Sequence, residues 1–187
     1  MNTGHLERFA TSTRRKLLEQ VGSKLRYVLT HDAVELRAKQ AVLSALRRKV
    51  EEVGEDALID QVAYTWFNRL VALRFMDVNG YQPIGKSVVT PHEGGVVPAL
   101  LQDAQGGDIA SDLQVDRDRI FKLLTGQEPS NNPDNEAYRL LLVAVCNHLH
   151  ATLPFLFEGI DDYAELLLPD DLSSPLSVVH DLSLIHI

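Results

Sequence analysis

One cysteine, Cys146, stands in 187 residues, so the chain cannot close an internal disulfide. The Met1 end is polar and lacks the apolar core of a secretion signal. Together these point to a cytoplasmic protein. No run approaches the roughly 20 apolar residues that a membrane-spanning helix needs, because Leu140–Val145 gives way at once to Asn147 and two histidines. Aromatic residues are 6% of the chain and tryptophan occurs once, so few rings are available to interleave with cations as a base-stacking surface would require. Nucleotide loops are missing as well. No Gly-x-Gly-x-x-Gly occurs, and Gly85-Lys86-Ser87 lacks the upstream glycine that completes a phosphate-cradling loop.

What is present is apolar content enough for a packed core, at 45% of residues. The net charge of −8 is unevenly spread: residues 1–50 hold 11 Lys/Arg against 4 Asp/Glu, and residues 51–187 hold 7 against 22. The first part suits a phosphate backbone, and the second suits solvent or other proteins.

Apolar spacing of three and four predicts a helix over 6–29, with Leu6, Phe9, Leu17, Leu18, Val21, Leu25 and Val28 as its buried stripe and a break capped by Thr11 or Ser12. A second helix is expected from Asp32 to Val53, buried through Val34, Ala38, Ala41, Val42, Ala45 and Val50 and stopped by Gly54. The third, Glu55 to Asn79, is apolar around most of its girth and reads as the central helix, with Trp66, Phe67, Phe75 and Tyr64 in the core and Arg69 and Arg74 at its edge. Prolines and glycines crowd residues 81–110, which reads as a linker with one short helix at Val97–Gln105. Further helices are expected from Ser111 or Asp112 to Leu124 and from Glu136 to Thr152, with a short turn at Tyr163–Leu168.

The expected fold is therefore mainly α, an irregular multi-helix bundle with a Pro/Gly-rich loop region in the middle. Its parts are a helical 1–80 with a basic face, the linker 81–110, and a second, acidic helical part at 111–181. The apolar 182–187 is set apart as a non-native tail, the mark of a fragment.

Three constellations invite a chemical reading. Cys146, His148 and His150 carry metal-ligand side chains. On a helix, successive residues advance by about 100°, so at most two of the three converge, short of the four that structural zinc requires. A buried cysteine with partly exposed histidines is expected instead. Glu158, Asp161, Asp162, Glu165, Asp170 and Asp171 lack a basic residue among them and read as a solvated acidic face. The third constellation is basic: Arg14, Arg15, Lys16, Lys24, Arg26, Arg37, Lys39, Arg47, Arg48 and Lys49. It is either two solvated helix faces or a surface that contacts double-stranded DNA through its phosphates.

Two stretches of the sequence carry a family resemblance. The run Ala63-Tyr-Thr-Trp-Phe-Asn-Arg69, with Arg74-Phe-Met76 and Asn79-Gly-Tyr81 after it, resembles the N-terminal region of the PglX family, the large adenine-specific DNA methyltransferases of BREX phage defence. The likeness resumes at Glu136–Leu142, Cys146–His150, Leu153–Glu158 and Asp162–Asp170, whereas Leu182–Ile187 departs from it. The resemblance implies a parent that uses S-adenosyl-L-methionine, flips adenine out of duplex DNA and works with other phage-defence proteins. The family's Asp-Pro-Ala-Cys-Gly-Ser-Gly cofactor loop and Asn-Pro-Pro-aromatic motif do not occur. Asn132-Pro133-Asp134 comes nearest to the latter. The segment is thus expected to be a helical piece without catalytic or cofactor-binding residues. The competing expectation is a free-standing, non-enzymatic interaction domain of a defence complex.

Overall fold

The computed structural model describes residues 3–31, 34–37, 39–157 and 162–185, and the fold is mainly α. In chain order the helices are α1 (Thr3–Thr30), α2 (Val34–Arg37), α3 (Gln40–Val53), α4 (Glu55–Asn79), α5 (Ala99–Gln105), α6 (Arg117–Leu124), α7 (Pro133–His150), α8 (Asp162–Leu166) and α9 (Val178–Ser183). Among the described residues the only β pairing is an isolated antiparallel bridge between Pro91 and Pro98. Two compact units result, Met1–Phe67 with Ile160–Asp170 and Asn68–Gly159 with Asp171–Ile187. The division runs through α4 and not through 81–110.

In the first unit α1 is continuous. The hydroxyls of Thr11 and Ser12 donate back to the carbonyls of Glu7 and Phe9 and do not cap a break. Its buried face is Leu17, Val21, Leu25 and Val28, as the spacing predicts, with Leu18 half-buried. Gly22 lies under Ile59 of α4, where an added Cβ would stand 3.3 Å from the Ile59 Cδ1 atom.

The expected second helix is two, because Lys39 leaves helical geometry at φ −114° and ψ 32°. The buried stripe is nevertheless Leu36, Leu43 and Leu46, at i, i+7 and i+10, and not the valine and alanine stripe expected. Leu43 and Leu46 turn inward, Ala41 is exposed, and Val42, Ala45 and Val50 are half-buried. Ala38 and the side chain of Val34 lie outside the described residues. Gly54 ends α3 at φ 86°, as expected of a left-handed stop.

Leu58, Val62, Ala63 and Trp66 of α4 complete this core. The Trp66 indole Nε1–H donates to the Ala164 carbonyl at 3.0 Å, tying α4 to α8. Trp66→Ala is expected to destabilise the chain by about 3–5 kcal/mol and Trp66→Phe by less, read from urea unfolding midpoints.

The second unit is organised by Asp77, at the end of α4. Its carboxylate accepts the backbone N–H groups of Val88, Val89 and Thr90 at 2.8–2.9 Å, the Thr90 hydroxyl at 3.0 Å and the Gln82 amide at 2.7 Å. The Pro/Gly-rich segment is thereby pulled inward: Val88 and Val89 are fully buried, as are Leu100 and Leu101 of α5. The expected short helix is present two residues later than predicted. Residues 81–110 thus supply core to their own unit and do not hang as an open connection.

Asp116 caps α6 by accepting the Arg119 N–H, so that helix begins at Arg117 and not at Ser111. Asn132 caps α7 through the Asn135 N–H, with Pro133 in the first helical position.

Arg69 and Arg74 are not at an edge. They are 2% and 7% exposed. Arg74 donates to the Thr90 hydroxyl at 2.5 Å and to the Ile185 carbonyl at 2.9 Å. Burial lowers its pKa against the opposing pull of Asp77. Tyr64 and Phe75, by contrast, are about half exposed, because they fall on the side of α4 away from Trp66. Helix α9 was not foreseen; Val178, Val179, Leu182 and Ile185 are buried there. Replacing Asp77 with Ala, which strands three backbone N–H groups at once, should lower stability by about 3 kcal/mol or more, measured by urea unfolding.

Candidate nucleic-acid interface

All ten basic candidates belong to the first unit. Because successive helical residues turn by about 100°, Arg14, Arg15 and Lys16 on α1 point in three directions, and so do Arg47, Arg48 and Lys49 on α3. No single track collects them. Arg15 and Arg26 share the face of α1 opposite its buried stripe, whereas Lys24 borders that stripe.

Several of these charges are engaged within the unit. Lys24 pairs with Asp170, 146 residues away, and lies 5.6 Å from the centroid of the Tyr27 ring. Arg14 is 6.0 Å from the centroid of Tyr64. Lys49 pairs with Glu52 at 3.2 Å, and Arg15 approaches Glu19 at 4.0 Å. Lys16 and Arg37 also have interactions of their own. Arg26, Lys39, Arg47 and Arg48 are exposed and form no ion pair among the described residues, so they are the cations most open to an external phosphate.

The folded unit is also less basic than its sequence. Residues 1–67 with 160–170 contain 11 Lys/Arg and 13 Asp/Glu, since the acidic start of α4 and the 160–170 segment join the same body. Any attraction to a polyanion is therefore local, arising from those four open cations and Arg15, and not from a field over the whole unit.

Sequence reasoning missed the aromatic partners. Tyr27 stacks on His31 with ring centroids 4.5 Å apart and planes 20° from parallel, and both rings are exposed. Their i, i+4 spacing was the available signal.

The other chemical candidates resolve differently. Cys146 is buried on α7, His148 is half-buried and His150 is exposed, its Nδ1 at 2.6 Å from the Phe157 carbonyl. Burial pushes the Cys146 thiol up to about 12, against the opposing charge of Arg69. Among the described residues no three His, Cys, Asp or Glu side chains gather as a metal site would require. Of the acidic face, Asp170 is exposed, Glu165 is half-buried, and Asp171 accepts the Ser174 N–H at 3.0 Å; Glu158 and Asp161 lie outside the described residues, as does the side chain of Asp162.

Lys86 of the Gly-Lys-Ser string is clamped by Asp103 at 2.9 Å and Asp108 at 2.5 Å. Burial pulls its pKa down, and the hydrogen bonds and charges of Asp108 and Asp103 more than offset this. His92 reaches the other oxygen of Asp103 at 2.6 Å, so the Lys86 ammonium is already held by two carboxylates of this chain. Asn132-Pro133-Asp134 is a helix start.

Among the described residues no helix is long and apolar enough to cross a membrane. Cys146 should resist iodoacetamide at pH 8 in the folded chain and react fully in urea, read by intact mass. Because the unfolded thiol ionises first, stability should fall as pH rises from about 9 toward 12.

No family model matches the chain. It is 36% identical to the adenine-specific methyltransferase BrxX of Escherichia coli O9:H4 (strain HS) over 137 residues, taking in 73% of this chain and 11% of that protein. To the adenine-specific methyltransferase PglX of Lacticaseibacillus casei (strain Zhang) it is 32% identical over 215 aligned residues, which take in 97% of this chain and 17% of the relative. The chain therefore spans less than a fifth of the length of these curated relatives. It is related in sequence, over most of its own length, to the BrxX and PglX adenine-specific methyltransferases.

Proposed function

We propose that the chain is a helical, non-catalytic module of a site-specific adenine DNA methyltransferase of BREX phage defence, and that its first unit touches duplex DNA. The observation that carries this reading is the pair of methyltransferase relatives, matched over 73% and 97% of the chain. Methyl transfer to adenine requires a pocket for S-adenosyl-L-methionine and a polar clamp on the flipped base. The residues of this chain do not fit that cofactor, for it has neither an Asp-Pro-x-x-Gly-x-Gly loop nor an Asn-Pro-Pro-aromatic segment, and the nearest string, Asn132-Pro133-Asp134, is occupied as the start of α7. The chemistry then belongs to other parts of the parent enzyme, and the module contributes contact and positioning.

DNA contact is assigned to Arg15, Arg26, Lys39, Arg47 and Arg48, whose exposed guanidinium and ammonium groups suit phosphate oxygens. Such contacts add affinity without sequence information and weaken with salt. Fluorescence anisotropy of the 187-residue chain on a duplex oligonucleotide should show log–log salt dependence of the affinity. Arg47→Ala with Arg48→Ala should make that slope shallower by roughly one to two. The same chain should transfer no methyl group from S-adenosyl-L-methionine to the duplex. Binding that ignores salt, or a slope the double variant leaves unchanged, overturns the DNA assignment, and methylation by the chain alone overturns the non-catalytic one.

A further inference from the structure

The second unit has a groove of about 670 Å³ between α4 and the end of α7. One wall is Asn68, Val71, Ala72 and Phe75, and the other is Leu149, Thr152, Leu153 and Leu156. The α4 set repeats at i, i+3, i+4 and i+7, the period with which one helix presents a stripe to another, whereas Thr152, Leu153 and Leu156 lie in the turns that follow α7. The two walls do not close on each other. Tyr81, which lines the groove, is 63% exposed, and its ring lies 6.1 Å from that of Phe75.

A helical stripe that faces a second apolar wall across a gap is a groove that an amphipathic helix fills, by laying its own i, i+3, i+4, i+7 side chains along it. The walls are poor in polar groups, so they lack the convergent donors and acceptors by which a small-molecule pocket fixes its ligand. Asn68, half-buried within the α4 stripe, and Thr152, exposed on the opposite wall, are the exceptions.

The relatives supply the source of that element. The chain takes in only 11% and 17% of their lengths, so in proteins of that size more than four fifths of the polypeptide lies outside this module. We infer that the groove seats an amphipathic helix from the remainder of the same methyltransferase polypeptide, docking the module onto the rest of the enzyme. This rests on the reading of the chain as part of a longer enzyme.

The test uses the gene product as its cell makes it, with a photo-crosslinking phenylalanine at Tyr81 and cross-links mapped by mass spectrometry. Cross-links to residues of the same polypeptide beyond these 187 are expected. Thr152→Arg, an exposed position that lays a long cation across the groove, should cut their yield about tenfold, and Leu153→Glu should do the same. Leu176→Glu, on an exposed position outside the groove, should leave the yield unchanged. Unfolding midpoints of the 187-residue variants separate a blocked groove from a damaged fold; Thr152→Arg is expected to match the parent chain.

Cross-links only to a second copy, or an apolar small molecule retained in native mass spectra, overturn the inference. So does a yield indifferent to Thr152→Arg. If the cell's gene product is no longer than 187 residues, the methyltransferase reading itself fails, which the size of the purified protein reports independently of any cross-link.

Discussion

The second unit depends on one carboxylate. Residues 81–98 hold three prolines and three glycines and form no helix or ladder, yet Val88 and Val89 are fully buried there. Buried N–H groups without partners are costly, and Asp77 removes that cost by accepting three in succession. The arrangement spreads outward from there. The Tyr138 hydroxyl donates to the Val88 carbonyl at 3.0 Å, and the Thr90 carbonyl accepts the Ala99 N–H at the start of α5. Burial holds the Tyr138 phenol well above its ordinary pKa, with the charges of Asp77 and Cys146 acting in the same direction, so it remains a hydrogen-bond donor. A loop is in this way made part of a core by side chains from two helices.

The sequence made the helices legible where local chemistry decides them. Gly54 and Gly80 bound α4, Asn132 with Pro133 opens α7, and the Leu17 to Val28 stripe predicts the buried face of α1. It failed where the answer depends on residues far along the chain. Nothing near Arg74 announces that its guanidinium meets a carbonyl 111 residues later, so a charged side chain within an apolar helix was assigned to the rim. The same holds for Asn135, whose Oδ1 accepts the Leu172 N–H at 2.7 Å. In α2 and α3 two adjacent stripes compete, and the larger Leu36, Leu43 and Leu46 take the core while Val42, Ala45 and Val50 flank it half-buried.

Helix α4 shows why uniform hydrophobicity is ambiguous. Apolar residues around its whole girth suggested burial on every side, and Trp66, Leu70 and Leu73 are indeed inaccessible. Phe75 and Tyr64 are not. A helix so composed is either fully enclosed or waiting on a further element, and the two cases share one sequence pattern. What separates them is the geometry of the facing surface. In the second unit that surface is Leu149 of α7 with Leu153 and Leu156 of the turns after it, held apart from the α4 stripe.

Charge was the least transferable reading from sequence to structure. The excess of Lys and Arg in residues 1–50 is real as composition, but folding brings Asp170 to Lys24 and puts the acidic 160–170 segment in the same unit. With 11 basic and 13 acidic residues in that body, long-range steering toward a polyanion is lost, and what remains acts over about a Debye length of 8–10 Å. Under the proposed function, the first unit would therefore add a few short-range phosphate contacts whose effect grows with effective concentration when other contacts hold the duplex near. The balance of charge in the first unit thus confines any attraction to a polyanion to its few cations that form no ion pair among the described residues.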